Sequence, residues 1–79
     1  PEQLLKQMEG SVWEWMVPSD EVSVIKKQFL LSSTLRRMDG VVVRVVSSMQ
    51  PCPEARPVTP NLEDVYLAMV AQNHQGVPQ

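Results

Sequence analysis

The sequence predicts an α+β domain built on one small antiparallel sheet. Residues 11–17 alternate between the two sides of a strand, and residues 41–47 are apolar at nearly every position, as in a central strand. Asp39 and Gly40, just before the second of these segments, are a strong signal for a hairpin turn. Asn61 then opens an amphipathic helical pattern. A chain of 79 residues provides for one domain at most.

The first elements are a short helix and a strand. We expect the helix over residues 1–8, because proline suits a first helical turn and Gly10 suits the position after the last one. The strand over residues 11–17 places Trp13 and Trp15 on the same side. Two tryptophans at this spacing are more often core residues than a platform on which a base or a sugar stacks.

A second helix is expected over residues 19–28, followed by a hairpin of two strands. Ser19 is placed to cap this helix, and two acidic residues follow it near the positive end of the helix dipole. The strands cover residues 30–38 and 41–47 and are joined through the turn described above. The buried stripe of the helix consists of Val22, Ile25 and Phe29.

A proline-rich connection over residues 48–60 leads to the last helix. Residues 55–58 within it are predicted as a short edge strand, since proline lacks the N–H that a central strand needs. Asn61 is predicted as the N-cap of the last helix, with Asp64 as the acid of a capping box, and the helix runs to about residue 72. The apolar stripe that docks this helix is predicted to be Leu62, Val65, Tyr66, Met69 and Val70.

The strand order follows from connectivity. A strand–helix–strand unit joins parallel strands, so the apolar third strand fits between the first two and antiparallel to both. This order, 2-3-1, is a split β-α-β arrangement, the core of a ferredoxin-like fold. Both long helices are expected side by side on one face of the sheet, with the short N-terminal helix apart. The sheet side of that core is predicted to be Trp13, Trp15, Val17, Val41, Val43 and Val45.

The opposite sheet face is predicted to be an interface. No further helix remains to cover it, and its mixture of apolar and charged side chains suits a protein contact. An ordinary solvated sheet face is the alternative, because much folded surface is apolar. Glu14 and Arg44 are expected to lie near each other on this face, as markers of the strand order. The candidate interface residues are Val12, Glu14, Met16, Leu35, Arg37, Val42, Arg44 and Val46.

Composition argues against several classes of protein. The net charge of −2 offers no basic patch for nucleic acid, and no apolar run is long enough to span a bilayer. The single cysteine, Cys52, cannot form an internal disulfide. The chain begins without methionine and shows no signal segment. We therefore expect a piece excised from a cytoplasmic protein.

The sequence also lacks the patterns that catalysis and cofactor binding require. Its three glycines are too far apart for either glycine-rich phosphate loop, so we expect the chain neither to bind nor to hydrolyse ATP. His74 and Cys52 lack companions for a metal site. The hydroxyls of residues 32–34 have no histidine or lysine base placed to activate them. The neighbouring acids Glu63 and Asp64 are explained by helix capping and the helix dipole rather than by acid–base catalysis. We predict no catalytic, cofactor-binding or metal-binding residue and no enzyme activity.

Three segments, in the same order, resemble one family. Residues 60–67, PNLEDVYL, are similar to the P-[TN]-L-E-D-V-[FY]-L ending of ATP-binding-cassette (ABC) transporter ATPase subunits of the exporter, ABC-2-like type. Residues 1–5 resemble the P-E-x-L helix that follows the nucleotide-binding core of those subunits. Residues 10–18 resemble the G-x-V-W-x-x-x-V-P strand of their C-terminal accessory domain. The resemblance covers residues 1–70.

The resemblance implies a non-catalytic C-terminal accessory or regulatory domain. Such a domain would pack against the ATPase, take part in its dimerisation or modulate its activity. It implies a helix over residues 1–9 continuing from a missing nucleotide-binding domain, the accessory domain over residues 10–72, and a polar tail over residues 73–79. The implied partners are the subunit's own nucleotide-binding domain, a second copy of the subunit and, through the parent protein, the transmembrane permease. ATP and Mg²⁺ would belong to the missing cassette domain. The implied location is cytoplasmic, at the inner face of the membrane, without direct insertion.

A second interpretation stays open. The chain also fits a free-standing ferredoxin-like domain that senses a small ligand or effector through the open sheet face or the tryptophans. The coding sequence on either side separates the two interpretations. An upstream phosphate loop and signature motif favour the transporter subunit, whereas a DNA-binding or enzymatic neighbour favours the sensor.

Overall fold

The protein forms a four-stranded antiparallel sheet with helices on both faces. The computed structural model describes residues 2–75. The predicted α+β class is confirmed, and each predicted strand is present with ends within about two residues of those expected. In chain order the elements are α1 (Glu2–Gln7), β1 (Val12–Val17), a 3₁₀ turn (Ser19–Glu21), α2 (Val22–Gln28), β2 (Leu30–Arg37), β3 (Gly40–Val46), β4 (Arg56–Pro57) and α3 (Leu62–Gln75).

The sheet has the strand order β2-β3-β1-β4. The third strand lies between the first two, as predicted, and β4 extends the predicted order by pairing with the outer edge of β1. Glu14 of β1 stands directly opposite Arg44 of β3. Pro1 and residues 76–79 of the predicted tail lie outside the described residues, and α3 continues to Gln75, beyond the predicted end.

The hairpin between β2 and β3 turns one residue earlier than the sequence suggested. Arg37 pairs with Gly40, so Met38 and Asp39 form the two-residue loop. Gly40 approaches β1 so closely that a Cβ atom at this position would lie 2.8 Å from the carbonyl oxygen of Val17. Only glycine fits there without displacing backbone atoms. This close contact with β1, rather than the geometry of the turn, accounts for a glycine at position 40.

One core lies between the sheet and α2. The predicted sheet residues form it: Trp15 and the valines at 17, 41, 43 and 45 are buried, and Trp13 packs against them. The predicted helical stripe also packs there, and the rings of Phe29 and Trp15 meet edge to face with centroids 6.2 Å apart. Ser19 does not cap α2, because it begins the 3₁₀ turn and no side chain caps either helical segment.

The prediction that both long helices share one face is wrong. Asp64 of α3 bonds to Arg44, whose side chain lies on the sheet face opposite the core described above. The place beside α2 is filled by the connection before α3, which packs Cys52 and Ala55 against the core. The connection then runs along β1 as β4 and delivers α3 to the other face. The short helix α1 packs against α3 on this side.

Candidate functional site

Asp64 is the polar centre of the contact between α3 and the sheet. Asp64 is fully buried, with none of its surface exposed to solvent. Ser32 Oγ donates to its Oδ1 at 2.6 Å, and Arg44 donates through Nε to Oδ1 at 3.1 Å and through Nη2 to Oδ2 at 2.8 Å. The backbone N–H of Asn61 donates to Oδ2 at 2.9 Å. A buried carboxylate is tolerated because its lone pairs are occupied by donors, two of them on a cation.

The same carboxylate closes the capping box of α3. The Oδ1 atom of Asn61 accepts the backbone N–H of Asp64 at 3.0 Å, while the Asp64 side chain accepts the backbone N–H of Asn61. Two orphan donors at the helix start are thus satisfied reciprocally. The predicted N-cap at Asn61 and the predicted role of Asp64 are both confirmed.

Arg44 joins the central strand to three other parts of the chain. Its Nη1 donates to Glu14 Oε2 on β1 at 2.8 Å, which confirms the predicted proximity of this pair. Its Nη2 donates to Asp64 on α3 and to the carbonyl oxygen of Thr59 in the connection at 2.7 Å. The side chain is only 14% exposed. One guanidinium therefore holds together β1, β3, the connection and α3.

The electrostatics of this cluster keep both partners charged. Burial is the largest influence on the pKa of Asp64 and opposes ionisation, but hydrogen bonds from Arg44, Ser32 and the Asn61 backbone together outweigh it, so the pKa is lowered. The hydrogen bond to Asp64 raises the pKa of Arg44. A carboxylate with a lowered pKa is a weak base, so its contact with the Ser32 hydroxyl does not produce a nucleophile. The cluster fastens the helix to the sheet, and both oxygens of the Asp64 carboxylate already accept hydrogen bonds from within the domain.

Helix α3 divides the predicted interface into a covered and an open part. The premise that no helix covers this face is wrong, because α3 lies on it at Arg44. The residues that are buried or half-buried are Val12, Glu14, Val42, Arg44 and Val46; those that are exposed are Met16, Leu35 and Arg37. Whether the open part contacts a partner stays a prediction.

Two apolar residues of the open part and the half-buried Val42 between them form a row across the sheet. Leu35 of β2 is paired with Val42 of β3, and Val42 is paired with Met16 of β1. Because paired residues direct their side chains to the same face, the three lie side by side. Leu35 and Met16 are exposed and Val42 is half-buried. We call these three residues the sheet row.

Helix α3 turns a second apolar surface toward solvent. Of its predicted docking stripe only Val65 is buried, whereas Leu62, Tyr66 and Met69 are 61%, 70% and 51% exposed. The helix is rotated so that Asp64 meets the sheet, while three of the five residues of the stripe face solvent. Residues at i, i+4 and i+7 share one helix face, so the three exposed side chains are neighbours. We call them the α3 strip.

The remaining candidates of the sequence do not form a site. Trp15 is buried and Trp13 is partly buried against the same core, with its Nε1 atom donating to the carbonyl oxygen of Ser47 at 2.9 Å, so the predicted core role of both is confirmed. Cys52 is half-buried against the core. Across residues 2–75 no group of three potential metal ligands is found. The side chain of His74 lies outside the described part of the chain.

Comparison with known proteins does not add an assignment. No family model, no curated protein and no solved structure matches the chain. In the part of the chain that the structure describes, no helix has the length and apolarity needed to cross a membrane.

Proposed function

We propose that this chain is a non-catalytic accessory domain that binds a protein partner through the α3 strip and the sheet row. The observation that carries the proposal is the exposure of Leu62, Tyr66 and Met69 on the outer side of α3. Helix α3 already uses its other side to bind the sheet, and these three side chains keep half or more of their surface exposed, although Met69 also borders a cavity between α3 and α1. Neighbouring exposed apolar side chains, one of them a tyrosine, are typical of a protein contact.

The sheet row supports the same proposal. It lies on the face that α3 occupies, so a partner that reaches over the start of α3 meets Leu35 and Met16 as well. Arg37 borders the row at the next position of the pairing, opposite Gly40, and supplies the charged rim that interfaces usually have. By contrast, the polar groups of the Asp64 cluster are satisfied within the domain and present no reactive group.

The partner that we propose is the nucleotide-binding domain of an ABC transporter ATPase subunit. This step rests on the resemblance of residues 1–5, 10–18 and 60–67 to such subunits. The accessory domain would then pack on the ATPase, or on its second copy, and modulate it. We also propose that the β1–α2–β2–β3 unit is a ferredoxin-like split β-α-β core, supported by the central position of β3. The placement of α3 on the second face is a departure from the expected arrangement.

The first test is the coding sequence on either side of this segment. A phosphate-binding loop and a signature motif upstream support the assignment to a transport ATPase. A DNA-binding domain or an unrelated enzyme in that place contradicts it, and leaves only the more general proposal of a protein-binding domain.

The second test addresses the surface itself. Tyr66→Glu and Leu35→Glu each place a charge on the proposed contact, and Val24→Glu is the matched control, since Val24 is an apolar residue of α2 that is about as exposed as Leu35. We expect the first two substitutions, and not the third, to weaken association of the chain with itself or with the ATPase domain in sedimentation velocity. If all three variants associate as the unchanged chain does, the surface is ordinary solvated surface.

A further inference from the structure

The outer edge of β2 is an open strand edge. β2 stands at one end of the strand order, and among residues 2–75 it pairs with β3 alone. Its side chains from Ser33 to Arg37 are all exposed. Along such an edge, alternate residues direct their backbone N–H and C=O groups outward, where another extended chain can pair with them. Adding a strand to an open edge is a recurrent mode of peptide recognition.

A groove of about 540 Å³ lies beside this edge, between α2 and β2. Its apolar walls include Val22 and Phe29, and its β2 side runs from Leu30 to Thr34. Leu31 is paired with Val45 in the core, so its side chain lies on the α2 side of the sheet. An added strand would therefore find backbone partners and an apolar seat for a side chain at the same place.

The charges along the groove are positive. Lys26 of α2 lines it. Arg36 follows Thr34 by two residues, and both are paired with residues of the buried face, so Arg36 continues the groove on the α2 side. Among residues 3–71, whose side chains the structure describes, neither Lys26 nor Arg36 forms an ion pair, since the salt bridges found there are those of Arg44. The whole chain carries a net charge of −2, so this positive edge is a local feature that suits an acidic partner.

A second copy of this chain suits the edge less well. Pairing β2 with β2 of another molecule would bring a second Arg36 and Arg37 onto an edge that already carries both. Like charges on neighbouring strands are destabilising.

We propose that this groove binds an extended acidic segment of another protein, which adds to β2 as a further strand. Side chains on one face of a strand are two residues apart. The segment therefore carries an aliphatic residue that enters the groove near Leu31 and Phe29, and an acidic residue two or four positions away that meets Lys26 or Arg36. The site is independent of the α3 strip and the sheet row, which lie on the other face of the sheet.

The test uses the 79-residue chain and fluorescein-labelled peptides of about six residues, the usual length of a strand. One peptide alternates so that aliphatic and acidic residues share a face, and its counterpart has lysine in place of each acid. We expect the acidic peptide to bind in fluorescence anisotropy and the basic one not to bind. No binding of the acidic peptide at about 1 mM overturns the proposal.

Backbone methylation of the peptide separates strand addition from simple charge attraction. Two versions of the acidic peptide carry N-methyl groups at odd or at even positions, so only one of them loses the N–H groups that face β2. We expect one version to lose binding and the other to retain it. Equal binding of the two versions overturns the proposal.

Protein variants locate the site. Lys26→Glu should weaken binding of the acidic peptide by about 2- to 30-fold, which is the change expected when an exposed ion pair becomes a repulsion. Lys27→Glu, the adjacent exposed lysine outside the groove lining, should weaken it clearly less. Equal losses for the two variants, or a dimer in which hydrogen exchange protects the β2 amides, overturn the proposal in favour of bulk charge or of a second copy.

Discussion

Asp64 and Arg44 bind each other across the boundary between α3 and the central strand, with Oδ2 and Nη2 2.8 Å apart. The carboxylate is completely buried, so once the helix has docked, an unpaired carboxylate would strongly destabilise the folded state. The relationship explains why α3 turns three of the five residues of its apolar stripe outward.

Asp64→Ala should strongly destabilise the contact between α3 and the sheet. It leaves the half-buried Arg44 without its main partner and removes one half of the capping box. Breaking a buried pair from one side costs about 3–5 kcal/mol, a large share of the roughly 4–12 kcal/mol expected for the free energy of unfolding at this length. Urea unfolding followed by circular dichroism measures it. Glu63→Ala, an exposed acid of the same turn, should cost less than about 1 kcal/mol, and equal costs for both would contradict the assignment.

Acid should loosen the domain through Asp64. Its pKa in the folded chain is lowered, below the value of about 3.9 expected when unfolded. The stability contributed by the ionised form is therefore fully present above that unfolded value and is lost as the pH falls through the folded one. We expect the urea midpoint to fall steeply below about pH 4, and Asp64→Asn to remove part of this slope. Parallel curves for the two proteins would mean that other carboxylates cause the acid sensitivity.

Asn61→Ala should destabilise the domain by about 0.5–2 kcal/mol, the usual cost of losing an N-cap. The side-chain acceptor for the Asp64 backbone N–H disappears, while the carboxylate of Asp64 keeps its other donors. Asn61→Ser is the matched control, since serine caps helices about as well as asparagine. Thermal or urea unfolding checks the pair. A midpoint for Asn61→Ala that equals that of Asn61→Ser would show that the cap does not depend on this side chain.

Gly40→Ala should cost about 2–5 kcal/mol through overpacking and backbone strain. The added Cβ would lie 2.8 Å from the Val17 carbonyl oxygen, a backbone atom that cannot rotate away. Gly10→Ala is the control, because Gly10 also has a positive φ but nothing lies within 4 Å of a Cβ there. It should cost only the strain of the left-handed conformation, about 1–2 kcal/mol. The prediction fails if Gly10→Ala proves the more destabilising of the two.

The sequence predicts those parts of this structure that depend on neighbouring residues. The cap at Asn61, the strands and the Glu14–Arg44 neighbours follow from local pattern and from the connectivity of strands and helix. The face on which α3 lies does not, because hydrophobic periodicity assigns Asp64 to solvent. Its burial becomes favourable only with Arg44, a residue 20 positions away in the chain. An arginine inside an apolar central strand predicts an acid on its own face, but Glu14 already satisfies that pattern, so there is no separate sequence signal for Asp64.

The α3 strip and the open edge of β2 are predictable from the sequence to different extents. The sequence predicts that Leu62, Tyr66 and Met69 belong to one apolar stripe, but it also predicts that this stripe meets the sheet. The edge position of β2 follows from the predicted order, while the groove beside it depends on how α2 and β2 are spaced after packing. Packing geometry of that kind has no local signature in the residues themselves.

The Asp64 carboxylate has two structural roles, and these couple formation of the first turn of α3 to docking of α3 on the sheet. The group that completes the first turn of α3 is also the group that fastens α3 to the sheet. Undocking the helix therefore exposes its own start to fraying, and fraying of the start releases the arginine that holds β1, β3 and the connection. Amide hydrogen exchange in the first turn of α3 and next to Arg44 should consequently occur through one shared opening event. The helix would then unfold together with the sheet, even though one of its sides is apolar and faces solvent.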